Sequence, residues 1–108
     1  MPRNSDIPRA DTQHLYRPGQ RKIKLNSRRW FEWLREEETR SFAFEGYNGY
    51  FTARKEVKKR GGAYWYAYRW IDGKTTKVYL GASSNLTDEK LERVATRLSS
   101  GQLALQFS

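Results

Sequence analysis

The sequence has no cysteine, a single histidine and no long apolar run. Without cysteine, disulfides, thiolate nucleophiles and zinc fingers are excluded. The one histidine, His14, lies in a leader that contains Pro, Arg and Gln, where we interpret it as a solvated side chain. A membrane helix needs roughly 20 apolar residues, and the first residues lack the apolar core of a secretory signal. We therefore expect no membrane association and a cytoplasmic location.

Catalytic groups are equally scarce. Most of the acids between positions 30 and 49 fall on the polar side of a predicted helix, where we expect solvent rather than a substrate or a metal ion. Catalysis needs a positioned base, nucleophile or metal, and no such set is present. We therefore predict that the protein is not an enzyme and uses no cofactor and no metal.

Aromatic residues and positive charge are abundant instead. The 108 residues include four Trp, seven Tyr and five Phe, whereas disordered chains are poor in aromatics. The formal net charge of +9 is clustered: residues 1–29 and 50–81 each carry +6, residues 30–49 carry -3, and residues 82–108 carry none. A clustered excess of this kind indicates a polyanionic partner.

The chain divides into three segments by pattern. Residues 1–25 contain three prolines and recurrent Arg and Lys without hydrophobic periodicity, which predicts a basic flexible arm, either free or ordered on nucleic acid. Residues 26–101 are predicted as a single α+β nucleic-acid-binding domain. Residues 102–108 form a C-terminal tail with alternating apolar residues, and both an added strand and a contact within a homodimer stay open for it.

The elements of the domain follow from caps, turns and periodicity. Ser27 predicts the N-cap of a helix over residues 28–38, and Thr87 caps a second helix that ends near Gly101. Strands are predicted over 41–45, 50–57, 64–71 and 74–80, with type I′ turns at Asn48-Gly49 and Asp72-Gly73. The predicted fold is α+β: an N-terminal helix, an antiparallel meander of three to four strands, and a C-terminal helix packed on one sheet face.

The Asp72-Gly73 turn fixes a register, because it pairs Ile71 with Lys74. Side chains alternate between the two faces of a strand. One face of this hairpin is then apolar, with Trp65 opposite Leu80 and Ala67 opposite Val78. The other face carries aromatic and basic residues: Tyr64, Tyr66, Tyr68, Trp70, Lys77 and Tyr79, joined by Thr52, Arg54 and Lys58 of the neighbouring strand.

Rings beside cations on an open sheet suit nucleic acid. Cations neutralise phosphates, hydroxyls bond to phosphate or base edges, and rings stack or pack on sugars. In the alternative interpretation, the helix bearing Trp30 covers this face and turns it into a second core. We predict nucleic-acid contacts from the face and from the basic loop at residues 58–62: Thr52, Arg54, Lys58, Lys59, Arg60, Tyr66, Tyr68, Trp70, Thr75 and Lys77.

The segments SFAFE (41–45), GYFTARKE (49–56), RGGAYWYAYR (60–69), GKTTKVYLG (73–81) and SSNLT (83–87) resemble a small module near the N-terminus of large LuxR/MalT-like bacterial activators. In layout, the strands and following helix are similar to integrase arm-binding and AP2-type domains. That likeness implies a sheet face in the DNA major groove, read by Thr52, Arg54, Lys58, Tyr66, Tyr68, Trp70, Thr75 and Lys77.

The residues and the resemblance together predict a sequence-specific double-stranded DNA-binding protein associated with the nucleoid. Its expected role is that of a bacterial transcriptional regulator or of an accessory factor in the recombination of a mobile element. Two alternatives stay open. One is a binder of RNA or single-stranded DNA, and the other is a protein-interaction adaptor for an acidic partner.

Overall fold

The computed structural model describes residues 7–59 and 61–100, which form a mostly-β fold of one mixed sheet and two α-helices. A 3-10 turn, Ser83–Asn85, precedes the second helix. The elements in chain order are β1 (Arg9–Ala10), β2 (His14–Tyr16), β3 (Ile23–Lys24), α1 (Arg28–Arg35), β4 (Ser41–Glu45), β5 (Tyr50–Val57), β6 (Ala63–Ile71), β7 (Lys74–Gly81) and α2 (Asp88–Ser100).

The seven strands lie in the order β3-β2-β1-β4-β5-β6-β7. Strands β4 to β7 form an antiparallel meander, in which each strand follows its neighbour along the chain. Strands β1 to β3 extend the sheet beyond β4. Strand β1 runs parallel to β4, and all other neighbouring pairs are antiparallel.

The predicted fold class is wrong, because an N-terminal helix followed by three or four strands leaves out β1, β2 and β3. These strands have two or three residues each, too few to show the alternation that marks a strand. A turn with local hydrogen bonds follows the end of β1 at Asp11. One carboxylate oxygen of Asp11 accepts from the backbone N–H of Gln13 and of His14, at 2.8 and 2.7 Å, as Asx turns do.

Helix α1 buries its aromatic side against the sheet. Ser27 caps it as predicted, since its hydroxyl accepts from the backbone N–H of Trp30. The helix ends at Arg35, three residues earlier than predicted, because Glu36 adopts an extended conformation. Trp30 packs edge-on against Phe42 with ring centroids 5.4 Å apart, and its indole N–H donates to the carbonyl of Leu86 at 2.7 Å.

Helix α2 begins after Thr87, whose hydroxyl accepts from the backbone N–H of Lys90 at 3.2 Å. Its apolar stripe joins α1 in one core on a single side of the sheet. The buried side chains of that stripe are Leu91, Val94, Ala95 and Leu98, which pack with Trp30, Phe42, Trp65 and Ala67. Within residues 7–59 and 61–100, neither helix is long and apolar enough to cross a membrane.

The β6–β7 hairpin has the predicted turn and nearly the predicted register. Asp72 and Gly73 both have positive φ, 49° and 79°, as a type I′ turn requires. Ile71 pairs with Lys74, and the predicted pairs follow as far as Tyr66 with Tyr79. Beyond that point the register shifts, so that Trp65 pairs with Gly81 rather than with Leu80.

The predicted type I′ turn at Asn48-Gly49 is wrong. Neither residue has positive φ, and four residues, 46–49, connect β4 to β5. Contact with α2 decides the shape of this loop. The backbone N–H of Tyr47 donates to the carboxylate of Glu92 at 2.8 Å, and Gly49 lies so close to Ala95 that a side chain would not fit.

Candidate nucleic-acid interface

One face of strands β5 to β7 is left uncovered by both helices. We call it the open face, and its side chains are Thr52, Arg54, Glu56, Tyr64, Tyr66, Tyr68, Trp70, Thr75, Lys77 and Tyr79. The alternative in which the Trp30 helix covers this face does not hold. Trp30 contacts Phe42, and Phe42 in turn contacts Trp65, with ring centroids 5.3 Å apart. Helix α1 therefore lies on the opposite, apolar face.

Cations and phenol rings are interleaved across the open face. The ammonium of Lys77 lies 4.4 Å from the ring centroid of Tyr66 and 5.6 Å from that of Tyr68. The guanidinium of Arg54 lies 5.6 Å from the Tyr68 centroid on the other side. Because a ring attracts a cation over its face, these contacts hold long basic side chains flat along the sheet.

A carboxylate lies at the centre of this arrangement. Glu56 accepts a short hydrogen bond from the hydroxyl of Tyr68 and an ion pair from Lys77 at 2.9 Å. Lys58 makes a longer ion pair with its other oxygen, at 3.4 Å. The Tyr68 hydroxyl first, and then Lys77, lower the pKa of Glu56 to about 2. The same carboxylate raises the pKa of Lys77.

The open face carries two large exposed rings, one beside the Asp72-Gly73 turn and one toward the other end of β7. Trp70 is 68% exposed and Tyr79 is 55% exposed, although apolar rings of this size are usually well buried. A shallow groove of about 380 Å³ lies beside Trp70, and Thr52, Arg54, Tyr68 and Thr75 line it. This groove offers hydroxyls, a guanidinium and an indole to one bound molecule.

The structure brings most of the predicted contact residues together. Lys58 lies at the rim, with its ammonium 5.7 Å from the Tyr66 centroid. Lys59 is exposed in the following loop, and Arg60 lies outside the described residues. The predicted residues that share the open face are Thr52, Arg54, Tyr66, Tyr68, Trp70, Thr75 and Lys77.

The loop after β5 depends on its two glycines. Gly61 and Gly62 have φ values of 91° and 83°, which residues with a side chain rarely adopt. The carbonyl of Gly62 accepts from the backbone N–H of Lys58 at 2.9 Å and closes the loop.

The sequence interpretation missed Glu56. Its position was available, because Glu56 follows Arg54 by two residues, and strict alternation places both on the same face. A search for basic and aromatic residues passes over a lone acid. Within residues 7–59 and 61–100, no group of three or more His, Asp or Glu side chains could hold a metal ion.

Residues 20–100 match the model of a family described as Domain of unknown function (DUF6788). The chain belongs to this family. The matched region runs from the turn before β3 to the end of α2, so it includes the whole open face. No curated protein and no solved structure matches the chain. The resemblance to LuxR/MalT-like activators and the likeness in layout to integrase arm-binding and AP2-type domains are not tested by these findings and stay predictions.

Proposed function

We propose that this member of the DUF6788 family binds double-stranded DNA sequence-specifically, with the open face in the major groove. One observation carries the proposal. Arg54, Tyr68 and Lys77 lie side by side on adjacent strands, on a sheet face that both helices leave uncovered. The opposite face, by contrast, is covered by the apolar core.

The dimensions of the three strands suit the groove. Neighbouring strands are about 4.8 Å apart, so β5, β6 and β7 together span about 10 Å between their outer axes, against a major groove about 12 Å wide. The rest of the sheet need not enter. Each strand is rotated by roughly 20–25° relative to its neighbour, which turns β1 to β4 progressively away from the plane of β6 and β7.

The contacts divide into two kinds. Arg54 and Lys59 are exposed and suited to phosphates, and Arg54 makes no ion pair among the described residues. Lys77 is already neutralised by Glu56, so we assign it to positioning the two tyrosines more than to phosphate binding. We assign Thr75 and Trp70, beside the turn, to contacts with base edges and thymine methyl groups.

Titration of a labelled duplex at several salt concentrations tests the proposal. Neutralising about six phosphates gives a log–log salt slope near -5. Arg54→Gln should weaken binding to all sequences and reduce the slope by about one. Arg93→Gln is the matched control, because Arg93 lies on α2 and pairs with Glu89. An unchanged affinity and slope in Arg54→Gln would remove the open-face proposal.

Selection from a random duplex library at near-physiological salt tests the sequence specificity. An enriched site is expected, and a palindromic one would report a homodimer. Recovery of unrelated sequences would leave only nonspecific binding. The role in transcription or recombination, and the location at the nucleoid, are part of the same proposal.

A second candidate rests on the exposure of Trp70 and Tyr79. Exposed rings stack on unpaired bases, which every single strand offers. Competition among duplex DNA, single-stranded DNA and RNA in one titration separates the two candidates. Preferred displacement by the duplex supports groove binding, whereas preferred displacement by either single strand supports stacking.

A further inference from the structure

A second basic cluster surrounds a cleft of about 760 Å³ on the side of the sheet away from β7. The cleft lies between the turn that joins β2 to β3, the C-terminal end of α1 and the start of β4. Four arginines from separate parts of the chain line it: Arg17, Arg29, Arg40 and Arg54.

The positive charge of this cleft is only partly neutralised. Two acids, Glu36 and Glu38, line it as well. Glu36 is taken by Arg29, with a nitrogen–oxygen distance of 3.1 Å. The other three arginines make no ion pair among the described residues, so they face the cleft with Glu38 as the remaining acid.

Arg17 supplies a more specific sign. One terminal N–H of its guanidinium donates to the carbonyl of Arg21 at 3.1 Å. Its Nε–H is buried and has no acceptor among the described residues. An unmade hydrogen bond of this kind costs free energy, so a rotation of the guanidinium that brings its N–H groups onto a ligand oxygen in the cleft would be favourable. Burial, and after it the charge of Arg40, lowers the pKa of Lys55, the residue next to Arg54 in β5.

We propose that this arginine cleft binds a phosphate group. Guanidinium groups present two parallel N–H donors that match phosphate oxygens, and charge-assisted hydrogen bonds of this kind are the strong ones. The phosphate can come from two sources. It is a backbone phosphate of DNA on the open face, in which case the inference rests on the proposed function, or it is the phosphate of a small molecule.

Arg54 links the cleft to the open face. Its side chain lines both the arginine cleft and the shallow groove beside Trp70. A duplex held by the open face would therefore pass one of its strands toward Arg40 and Arg17. The cleft extends the contact surface from bases in the groove to a phosphate outside it.

The first experiment uses pyrophosphate as the probe and needs no DNA. In nitrogen–proton correlation spectra, the Nε–H resonance of Arg17 should shift as pyrophosphate is added at constant ionic strength. Sodium chloride alone should not move it. Arg17→Gln and Arg40→Gln should each weaken binding about tenfold or more, since each removes a charge-assisted hydrogen bond. Arg93→Gln should bind as the parent chain does.

The second experiment repeats the titration with a duplex of 20 base pairs. If the source is DNA, Arg40→Gln reduces the log–log salt slope by about one. The other outcome is that pyrophosphate binds, the duplex does not shift the Arg17 resonance, and Arg40→Gln leaves the salt slope unchanged. In that case the source of the phosphate is a small molecule, and the cleft is a phosphate site that does not bind DNA. Failure of the DNA proposal is read separately, from the duplex affinity of Trp70→Ala, because Trp70 lies on the open face and does not line the arginine cleft.

Folding is controlled by the melting temperature of each variant. Where Arg17→Gln melts early, Arg17→Lys keeps the charge and the stem but loses the paired donors, and it should still lose the pyrophosphate effect. If the Arg17 resonance responds to neither pyrophosphate nor duplex in the folded parent chain, the phosphate site does not exist.

Discussion

Two tryptophans of strand β6 lie five residues apart and have opposite surroundings. Trp65 is 0% exposed, packs against Phe42, and donates its indole N–H to the hydroxyl of Ser83 at 3.0 Å. Trp70 is 68% exposed and lies opposite Thr75 next to the turn. An odd spacing in a strand places two residues on opposite faces. Both residues are tryptophan, so residue type does not predict which one is buried. The strand position does, because it determines the sheet face on which each ring lies.

The cations of the two faces differ in the same way. On the helix side, Lys55 donates to the carbonyl of Glu36 at 3.0 Å, and Arg69 donates to the hydroxyl of Ser99 at 2.7 Å. These side chains tie the sheet to neighbouring elements. On the open face, Lys77 pairs with Glu56, and Arg54 lies over the Tyr68 ring without an ion pair among the described residues. Lys55 and Arg69 therefore connect parts of the protein, whereas Arg54 keeps donors for another molecule.

The largest expected effect is a loss of stability in Trp65→Ala. Truncation of a buried aromatic ring costs about 3–5 kcal/mol, a large share of the total for a domain of this size. Trp70→Ala is the matched control on the open face. It should change the free energy of unfolding by about 0.5 kcal/mol or less, as surface substitutions usually do. Urea denaturation of both variants gives the two values.

For DNA affinity, Trp70→Ala rather than Trp65→Ala is the informative variant. Under the proposed function, Trp70→Ala weakens the DNA complex while the protein stays folded. Equal losses of stability in the two variants would contradict the division between a core face and an open face. A Trp70→Ala variant with both normal stability and normal DNA affinity would leave the exposed ring without a role in the complex.

A second, smaller effect is expected where the β4–β5 loop meets α2. A Cβ at Gly49 would overlap the carbonyl oxygen of Ala95 and the hydroxyl of Ser99. Because backbone cannot move aside as a side chain does, Gly49→Ala should push α2 outward and cost about 1–3 kcal/mol. The melting temperature measures the change.

Gly62→Ala is the control for this loop variant. The space around Gly62 is open, so only its positive φ opposes a side chain, at a cost of about 1–2 kcal/mol. Adding Ser99→Gly should relieve part of the Gly49→Ala loss and none of the Gly62→Ala loss. If Ser99→Gly does not rescue Gly49→Ala, the overlap with the carbonyl oxygen of Ala95 accounts for the loss. If Gly49→Ala melts at the same temperature as the parent chain, the close approach of α2 does not constrain Gly49.

The sequence predicts the long strands well because their signals are local. Alternation over eight or nine residues and the Asp72-Gly73 turn are enough for β5, β6, β7 and the hairpin register. Strands β1 to β3 carry no such signal. They depend on long-range partners, as when the carbonyl of Pro8 accepts from the backbone N–H of Ala43 at 2.8 Å. Two residues of strand cannot be recognised without that partner.

The same difference applies to the two basic surfaces. The open face follows from one register, so its members are predictable from β5, β6 and β7 alone. The arginine cleft gathers Arg17, Arg29, Arg40 and Arg54 from separate parts of the chain. One of them follows β2, a strand that the sequence did not indicate. The cleft could not be predicted until that strand was placed in the sheet.

The smallest expected effect concerns the carboxylate that holds the open face in order. The pKa of Glu56 is lowered to about 2, so the folded chain favours its charged form. The stabilisation of the folded chain by ionised Glu56 is fully present above the pKa of Glu in the unfolded chain, near 4.3. It is lost as the pH falls toward 2. The melting temperature of the parent chain should therefore exceed that of Glu56→Gln above pH 5, and the difference should vanish near pH 2.

Tyr68→Phe sharpens this test by removing one hydroxyl. The Tyr68 hydroxyl is the largest cause of the lowered Glu56 pKa, so carboxyl carbon resonances should show that pKa rising in the variant.

Glu56→Gln also frees Lys77 from its ion pair. It should therefore strengthen duplex binding and steepen the salt slope by about one phosphate contact. A pH-independent difference in melting temperature would mean that Glu56 acts through packing rather than charge, and weaker DNA binding would make the carboxylate itself a base contact.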